Sequence, residues 1–147
     1  YDYLNFRATT VNQPGTLSDT QLFLFDANGM GVTFNDDAPG GGVRSTLTNQ
    51  FVPGNGYYAI AISGYNGDPV NPAGALIWNN TPFGVERAPD GPGAPGPLAG
   101  WTGTSGTGTY DILLHGADFC AVPEPGTMAA LGLGALALLR RRKARKS

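Results

Sequence analysis

Five acidic and amide side chains fall into two short stretches of the chain, and their oxygen atoms are ligands that calcium accepts. They are Asp26, Asn28, Asn35, Asp36 and Asp37. Calcium in proteins binds roughly six to eight oxygen atoms, which carboxylates, amides and backbone carbonyls supply. The residue types therefore indicate a calcium site, provided that the fold brings enough of these oxygens together.

The strands that flank these residues decide which of them can share one ion. The apolar run at residues 22–25 is typical of a buried strand, and residues 32–34 fit the second strand of a hairpin. The first two oxygen donors then lie at the turn, and the last three lie at the far end, at about 3.3 Å per residue. The favoured interpretation is that these acids only shape turns through Asx hydrogen bonds. The alternative is a smaller calcium site of Asp36 and Asp37, joined by Asp19 or by a loop carbonyl.

The sequence lacks the residues that a catalytic site or a zinc site would need. His115 is the single histidine and Cys120 is the single cysteine, so neither a zinc ligand set nor an internal disulfide is predicted. His115 is expected to point outward from a strand. Ser63 does not stand in a Gly-x-Ser-x-Gly nucleophile motif. Cys120 is expected to be an ordinary small residue, with an intermolecular disulfide as the alternative.

Four aromatic residues offer a second binding chemistry, because aromatic faces bind flat apolar patches such as those of sugar rings. They are Tyr57, Tyr65, Trp78 and Trp101. The favoured interpretation is that these residues anchor a long loop on the body of the protein. The alternative is a platform for carbohydrate.

Short apolar runs separated by glycine, proline, asparagine and aspartate turns predict the elements that position these residues. The predicted strands are residues 1–6, 21–25, 32–34, 43–52, 57–63 and 109–116. The alternation of side chains along these strands predicts which residues face the core: Leu4, Phe6, Val43, Leu47, Phe51, Tyr58, Ile60, Ile62, Tyr110, Ile112 and Leu114. We expect an all-β, jelly-roll-like β-sandwich. Residues 68–100 are rich in proline and glycine, so we expect a long loop there, anchored by Trp78 or Phe83.

The charge distribution argues against nucleic acid as a partner. The formal net charge of −2 hides an asymmetry, since six of the nine basic residues lie in the last eight positions. The first 139 residues carry three basic residues against eleven acidic ones. An acidic body does not attract phosphate groups, so nucleic-acid binding is not expected, and the basic end favours a membrane surface.

The C-terminal 26 residues join an extended step, an apolar run and a basic end. Pro123 and Pro125 lack amide donors and predict an exposed segment that a protease can grip. The 12 residues from 128 to 139 span about 18 Å as a helix, against a bilayer core of about 30 Å. Positive charge stays on the cytoplasmic side, and the residues that set this orientation are Arg140, Arg141, Arg142 and Lys143. The alternative, an amphipathic helix docked on the body, is disfavoured because residues 129–139 have no polar face.

The three-part order of the tail resembles the PEP-CTERM sorting signal of bacterial exported proteins. The motif residues are Val122, Pro123, Glu124 and Pro125. The resemblance covers residues 122–147 and assigns 126–139 to a short transmembrane helix and 140–147 to a basic end. It implies recognition by an exosortase-type membrane protease, a transient stay in the membrane, and removal of the apolar tail. Delivery to the cell surface or to the extracellular polymer matrix would follow.

The body, residues 1–121, is similar to bacterial pre-peptidase C-terminal (PPC-like) domains. The similar stretches are Asp19–Asp26, Asn35–Asp37, Gly56–Tyr58 and Ser63–Tyr65. Such domains are β-sandwiches attached to secreted proteins, and some of them bind calcium. The resemblance also implies that the domain is truncated at its N-terminus.

Three functional hypotheses follow from these observations. The first is a non-catalytic exported protein with a structural or adhesive role in the cell envelope, surface or polymer matrix. The second is a calcium-stabilised module that binds carbohydrate or protein, with extracellular polysaccharide as a partner. The third is an accessory domain of a larger secreted enzyme. None of them needs a catalytic residue in this chain or a cofactor other than calcium.

Overall fold

The computed structural model describes residues 2–103 and 106–120. The predicted C-terminal helix, its transmembrane segment at 126–139 and the basic end at 140–147 lie outside the described residues. The chain divides into one compact unit, Tyr1–Ala117, and a second unit, Asp118–Ser147, which contains the tail. The sheets and the candidate site belong to the first unit.

Eight strands and two short 3-10 helices make up the regular structure of the described residues. The strands are β1 Arg7–Thr9, β2 Thr20–Asp26, β3 Gly31–Asn35, β4 Thr46–Thr48, β5 Tyr58–Gly64, β6 Pro69–Val70, β7 Gly100–Trp101 and β8 Leu113–His115. The helices are Tyr3–Asn5 and Asn49–Phe51. The strands pair antiparallel in three sheets, in the orders β4-β1-β8, β3-β2-β5 and β6-β7. The all-β prediction is confirmed.

Strand β2 lies at the centre of the fold because its side chains are buried on both faces. On one face, Leu22 and Leu24 join a core that includes Leu47 of β4. The same core takes up the predicted core residues Tyr58, Ile60, Ile62, Ile112 and Leu114. The sheets β3-β2-β5 and β4-β1-β8 therefore pack against each other as a sandwich.

The opposite face of β2 is covered by residues 68–101, which we call the covering segment. The second core that forms there consists of Phe23, Phe25, Phe34, Ile77 and Trp78. The ring centroid of Trp78 lies 5.6 Å from those of both Phe23 and Phe25. Trp78 is only 2% exposed, so it is the anchor of the proline-rich stretch that the sequence analysis expected.

Several sequence-based assignments were wrong, at the start of the chain and at two predicted core positions. Residues 1–6 do not form a strand, because the Asp2 carboxylate accepts a hydrogen bond from the Leu4 N–H at 3.1 Å and caps the helix Tyr3–Asn5. Leu4 is consequently 60% exposed. Val43 and Tyr110 are 48% and 46% exposed instead of buried. Strands β4 and β8 begin only at residues 46 and 113, after these two positions.

Gly31 of β3 lies so close to the covering segment that a larger side chain would collide with it. A Cβ atom at this position would lie 2.6 Å from Cη2 of Trp78 and 2.8 Å from Cγ of Pro89. Because Trp78 is held in the second core, we expect Gly31→Ala to lower the free energy of unfolding by about 1–3 kcal/mol in urea denaturation. Gly84→Ala is the matched control, since a Cβ atom there meets nothing within 4 Å. Equal stability of the two variants would contradict the packing described.

Candidate metal centre

The fold brings three carboxylates together at one end of the sheet β3-β2-β5. One carboxylate oxygen from each of Asp19, Asp36 and Asp37 lies within 4.8 Å of the other two, and we call these residues the acidic cluster. Asp19 immediately precedes β2, and the other two follow β3. Since β2 and β3 pair antiparallel, with Leu22 opposite Asn35, the beginning of one strand meets the end of the other.

The remaining oxygen donors from the sequence analysis have other roles. Asp26 lies at the opposite end of β2, where its Oδ1 accepts hydrogen bonds from the Asn28 N–H at 2.8 Å and the Met30 N–H at 2.9 Å. These contacts close the hairpin turn, as the favoured interpretation of Asx hydrogen bonds predicts for Asp26. Asn35 is buried, and its amide positions the loop: Nδ2 donates to the Asp37 carbonyl at 3.0 Å, and Oδ1 accepts from Thr46 N–H at 2.8 Å.

Asp36 carries the largest electrostatic perturbation of the cluster. Its side chain is 1% exposed, and its Oδ1 atom has no hydrogen-bond partner. Burial, followed by the charges of Asp37 and Asp19, raises the pKa of this carboxyl from its ordinary 3.8 to about 7. Burial and then the charge of Asp37 also raise the pKa of Asp19. An unpartnered buried oxygen beside two further carboxylates is an arrangement that a cation would stabilise.

Two residues that the sequence analysis did not select connect the cluster to the covering segment. Gln21 donates to Oδ1 of Asp68 at 3.4 Å and accepts from the Ser63 hydroxyl at 3.2 Å. Gln21 also hydrogen-bonds Asp36, which lowers the pKa of that carboxyl, whereas the charge of Asp68 raises it. The sequence does contain a signal for Gln21, because this polar side chain stands at the start of an otherwise apolar, buried strand. Nothing in the local sequence marked Asp68.

The donor set of the cluster suits calcium better than other common metals. Three carboxylates offer only hard oxygen ligands, whereas zinc favours nitrogen and sulfur. Magnesium requires a near-octahedral arrangement of ligands and keeps several waters, while calcium accepts irregular oxygen sites in loops. The raised pKa of Asp36 adds a condition, since a metal must displace the proton before it binds.

The other sequence-predicted candidates are dispersed over the described residues. His115 is exposed on β8, as expected, and Cys120 is an exposed free thiol. Trp78 is buried, so it cannot belong to a sugar-binding platform. Tyr57 and Tyr65 flank the two ends of the seven-residue strand β5, roughly 25 Å apart at the usual rise per residue. The four aromatic residues therefore do not form one surface.

Comparison with known families identifies the tail. Residues 121–143 match the PEP-CTERM protein-sorting motif, which confirms the resemblance seen in the sequence. This range includes the motif residues Val122–Pro125 and the basic residues 140–143. The motif implies an exported protein that is processed by an exosortase, which is a membrane protein, and sorted through the membrane to the cell surface.

The comparisons do not extend to the body. No curated protein and no solved structure matches the chain. The resemblance of residues 1–121 to PPC-like domains therefore stays a prediction. Within residues 2–103 and 106–120, no helix combines the length and the apolar character needed to cross a membrane.

The raised pKa of Asp36 gives the metal-free protein a defined pH dependence. The folded state binds a proton at this carboxyl up to about pH 7, whereas the unfolded state releases it near pH 3.8. At this carboxyl the folded state therefore holds more protons between these values, so the contribution of Asp36 to the free energy of unfolding falls as the pH rises from 4 to 7. At about 1.4 kcal/mol per pKa unit, the full effect is roughly 4 kcal/mol.

Asp36→Asn tests this dependence, since the amide has the same size and no charge. In chelator, we expect the variant to be more stable than the wild type at pH 8 and nearly as stable at pH 4. Urea denaturation at both pH values measures the difference. A stability difference between the variant and the wild type that is the same at pH 4 and pH 8 would contradict the raised pKa of Asp36.

Proposed function

We propose that this protein is a non-catalytic β-sandwich that calcium stabilises after export, with a structural role at the cell surface or in the surrounding polymer matrix. The observation that carries the proposal is the acidic cluster, in which a buried carboxylate oxygen without a hydrogen-bond partner stands beside two further acids. The sorting motif at residues 121–143 supplies the destination, because it implies delivery to the cell surface.

The destination and the cluster fit each other chemically. Calcium sites of extracellular modules have dissociation constants of about 10⁻⁴–10⁻³ M. A site in that range stays empty at cytosolic calcium concentrations and fills in a millimolar environment. The like charges of the cluster oppose folding while the site is empty, and a bound divalent cation offsets them.

The surroundings of the cluster favour binding over hydrolysis. A carboxyl with a raised pKa beside an ionised one is also the pattern of a general acid–base pair. A general acid must reach its substrate, however, and Asp36 is 1% exposed. The Ser63 hydroxyl donates to Gln21, and the single histidine lies on the other sheet, in β8. A structural role for the metal is therefore the better account.

Thermal unfolding tests the calcium part of the proposal. We expect millimolar calcium to raise the Tm of the full chain by about 5 °C over chelator, and magnesium to raise it less. Asp37→Asn removes one ligand and should abolish most of this shift. Asp111→Asn is the matched control, because Asp111 is exposed and its backbone alone contributes a hydrogen bond. Equal shifts in the two variants would place the calcium elsewhere.

Protease treatment of intact cells tests the surface part. In a host that contains an exosortase, we expect an antibody against the body to detect a shortened protein that external protease degrades. Replacing Pro123, Glu124 and Pro125 by alanine should leave the full-length chain with the membranes. The control replaces Pro95 and Pro97, an exposed Pro-x-Pro step of the body, by alanine. Full-length wild-type protein confined to the cell interior would overturn this part.

A further inference from the structure

An exposed tyrosine lies at the same end of the sheet as the acidic cluster. Strands β2 and β5 pair with Thr20 opposite Gly64, so Asp19 and Tyr65 are the next residues beyond this pair. One residue further in, Gln21 and Ser63 share a hydrogen bond across the face that the covering segment occupies. Side chains alternate along a strand, so Asp19 and Tyr65 belong to that same face.

Phe83 provides a second, independent connection between Tyr65 and the cluster. Its carbonyl oxygen accepts a hydrogen bond from the Asp37 N–H at 3.2 Å. Its ring centroid lies 6.1 Å from that of Tyr65, with the rings tilted by 56°. Tyr65 is 45% exposed. The tyrosine ring is thus supported by Phe83 and open to solvent, and Phe83 itself is hydrogen-bonded to the loop that carries Asp37.

We propose that this end of the sandwich binds a neutral pyranose sugar, with two adjacent hydroxyl groups on the calcium ion and the C–H face of the ring on Tyr65. The inference rests on the proposed calcium site. Three carboxylates that each give one oxygen leave about three to five coordination positions of calcium for other oxygen atoms. Sugar hydroxyls are hard oxygen ligands, and an exposed aromatic ring supplies an apolar stacking surface.

The charge of the site selects against acidic sugars. Three carboxylates and one calcium ion leave one net negative charge, and the charge of Asp68 also acts on Asp36. A uronic acid would bring a further negative charge into this field, which is unfavourable. Neutral polysaccharide is therefore the class of ligand that the site fits.

Tyr57 is a natural control, because it is the same residue type at the other end of β5. It is 76% exposed, and the acidic cluster lies at the far end of the strand. Stacking on any exposed tyrosine would involve both residues. Binding at the calcium site involves Tyr65 alone.

Affinity electrophoresis of the full chain tests the proposal. Native gels contain dextran, mannan, arabinogalactan or the acidic polymer alginate, each with millimolar calcium or with chelator. We expect at least one neutral polymer to retard the wild type in calcium, and chelator to abolish the retardation. Tyr65→Ala should weaken the apparent affinity about tenfold, the equivalent of about 1.4 kcal/mol, and Tyr57→Ala should leave it unchanged.

The outcomes separate this inference from the calcium site on which it rests. If calcium raises the Tm but none of the neutral polymers retards the protein, the sugar site is wrong and the calcium site stands. Retardation that persists in chelator, that Tyr57→Ala weakens equally, or that alginate alone produces would also overturn the inference. If calcium does not change the Tm, both proposals fail together.

Discussion

The burial of β2 on both faces is the constraint on which the rest of the structure depends. Its apolar side chains alternate between two cores, with Leu22 and Leu24 on one side and Phe23 and Phe25 on the other. A single facing sheet covers only one of these sides. The proline- and glycine-rich covering segment therefore stabilises the fold, since it buries the aromatic side of β2, which would otherwise be exposed to water. Trp78 packs against this aromatic side, and its indole N–H donates to the Arg87 carbonyl oxygen at 3.3 Å.

Arg87 shows how the covering segment holds its shape with little regular secondary structure. Its guanidinium group donates to the Asn79 carbonyl oxygen at 2.6 Å and the Thr81 carbonyl oxygen at 2.9 Å, and it pairs with Asp90 at 2.6 Å. It also lies 5.3 Å above the Phe34 ring centroid. Backbone carbonyls that no strand pairs are thus satisfied by a side chain. The segment is a packed layer of the body, bound to the sheet by aromatic contacts.

The same strand that organises the core also collects the negative charge. Because β2 begins where β3 ends, their flanking residues Asp19, Asp36 and Asp37 converge. Their mutual repulsion and the burial of Asp36 oppose the metal-free fold. The sorting motif implies delivery to the cell surface. In the function that we propose, the tail sets this destination and a calcium ion at the acidic cluster stabilises the body there.

The sequence by itself determined the features whose physics is local. Side-chain alternation identified β5 and its core residues, hairpin geometry separated Asp26 from Asp36 and Asp37, and the three-part tail identified the sorting motif. Only the tertiary structure decided the features that depend on distant contacts. The capped turn at Tyr3–Asn5 depends on one side-chain hydrogen bond that alternation does not reveal. Asp68 lies near the acidic cluster, Tyr65 lies at the same end of the sheet, and Trp78 packs against Phe23 and Phe25, because strand pairing and the covering segment bring together residues that are far apart in the chain, which no local pattern encodes.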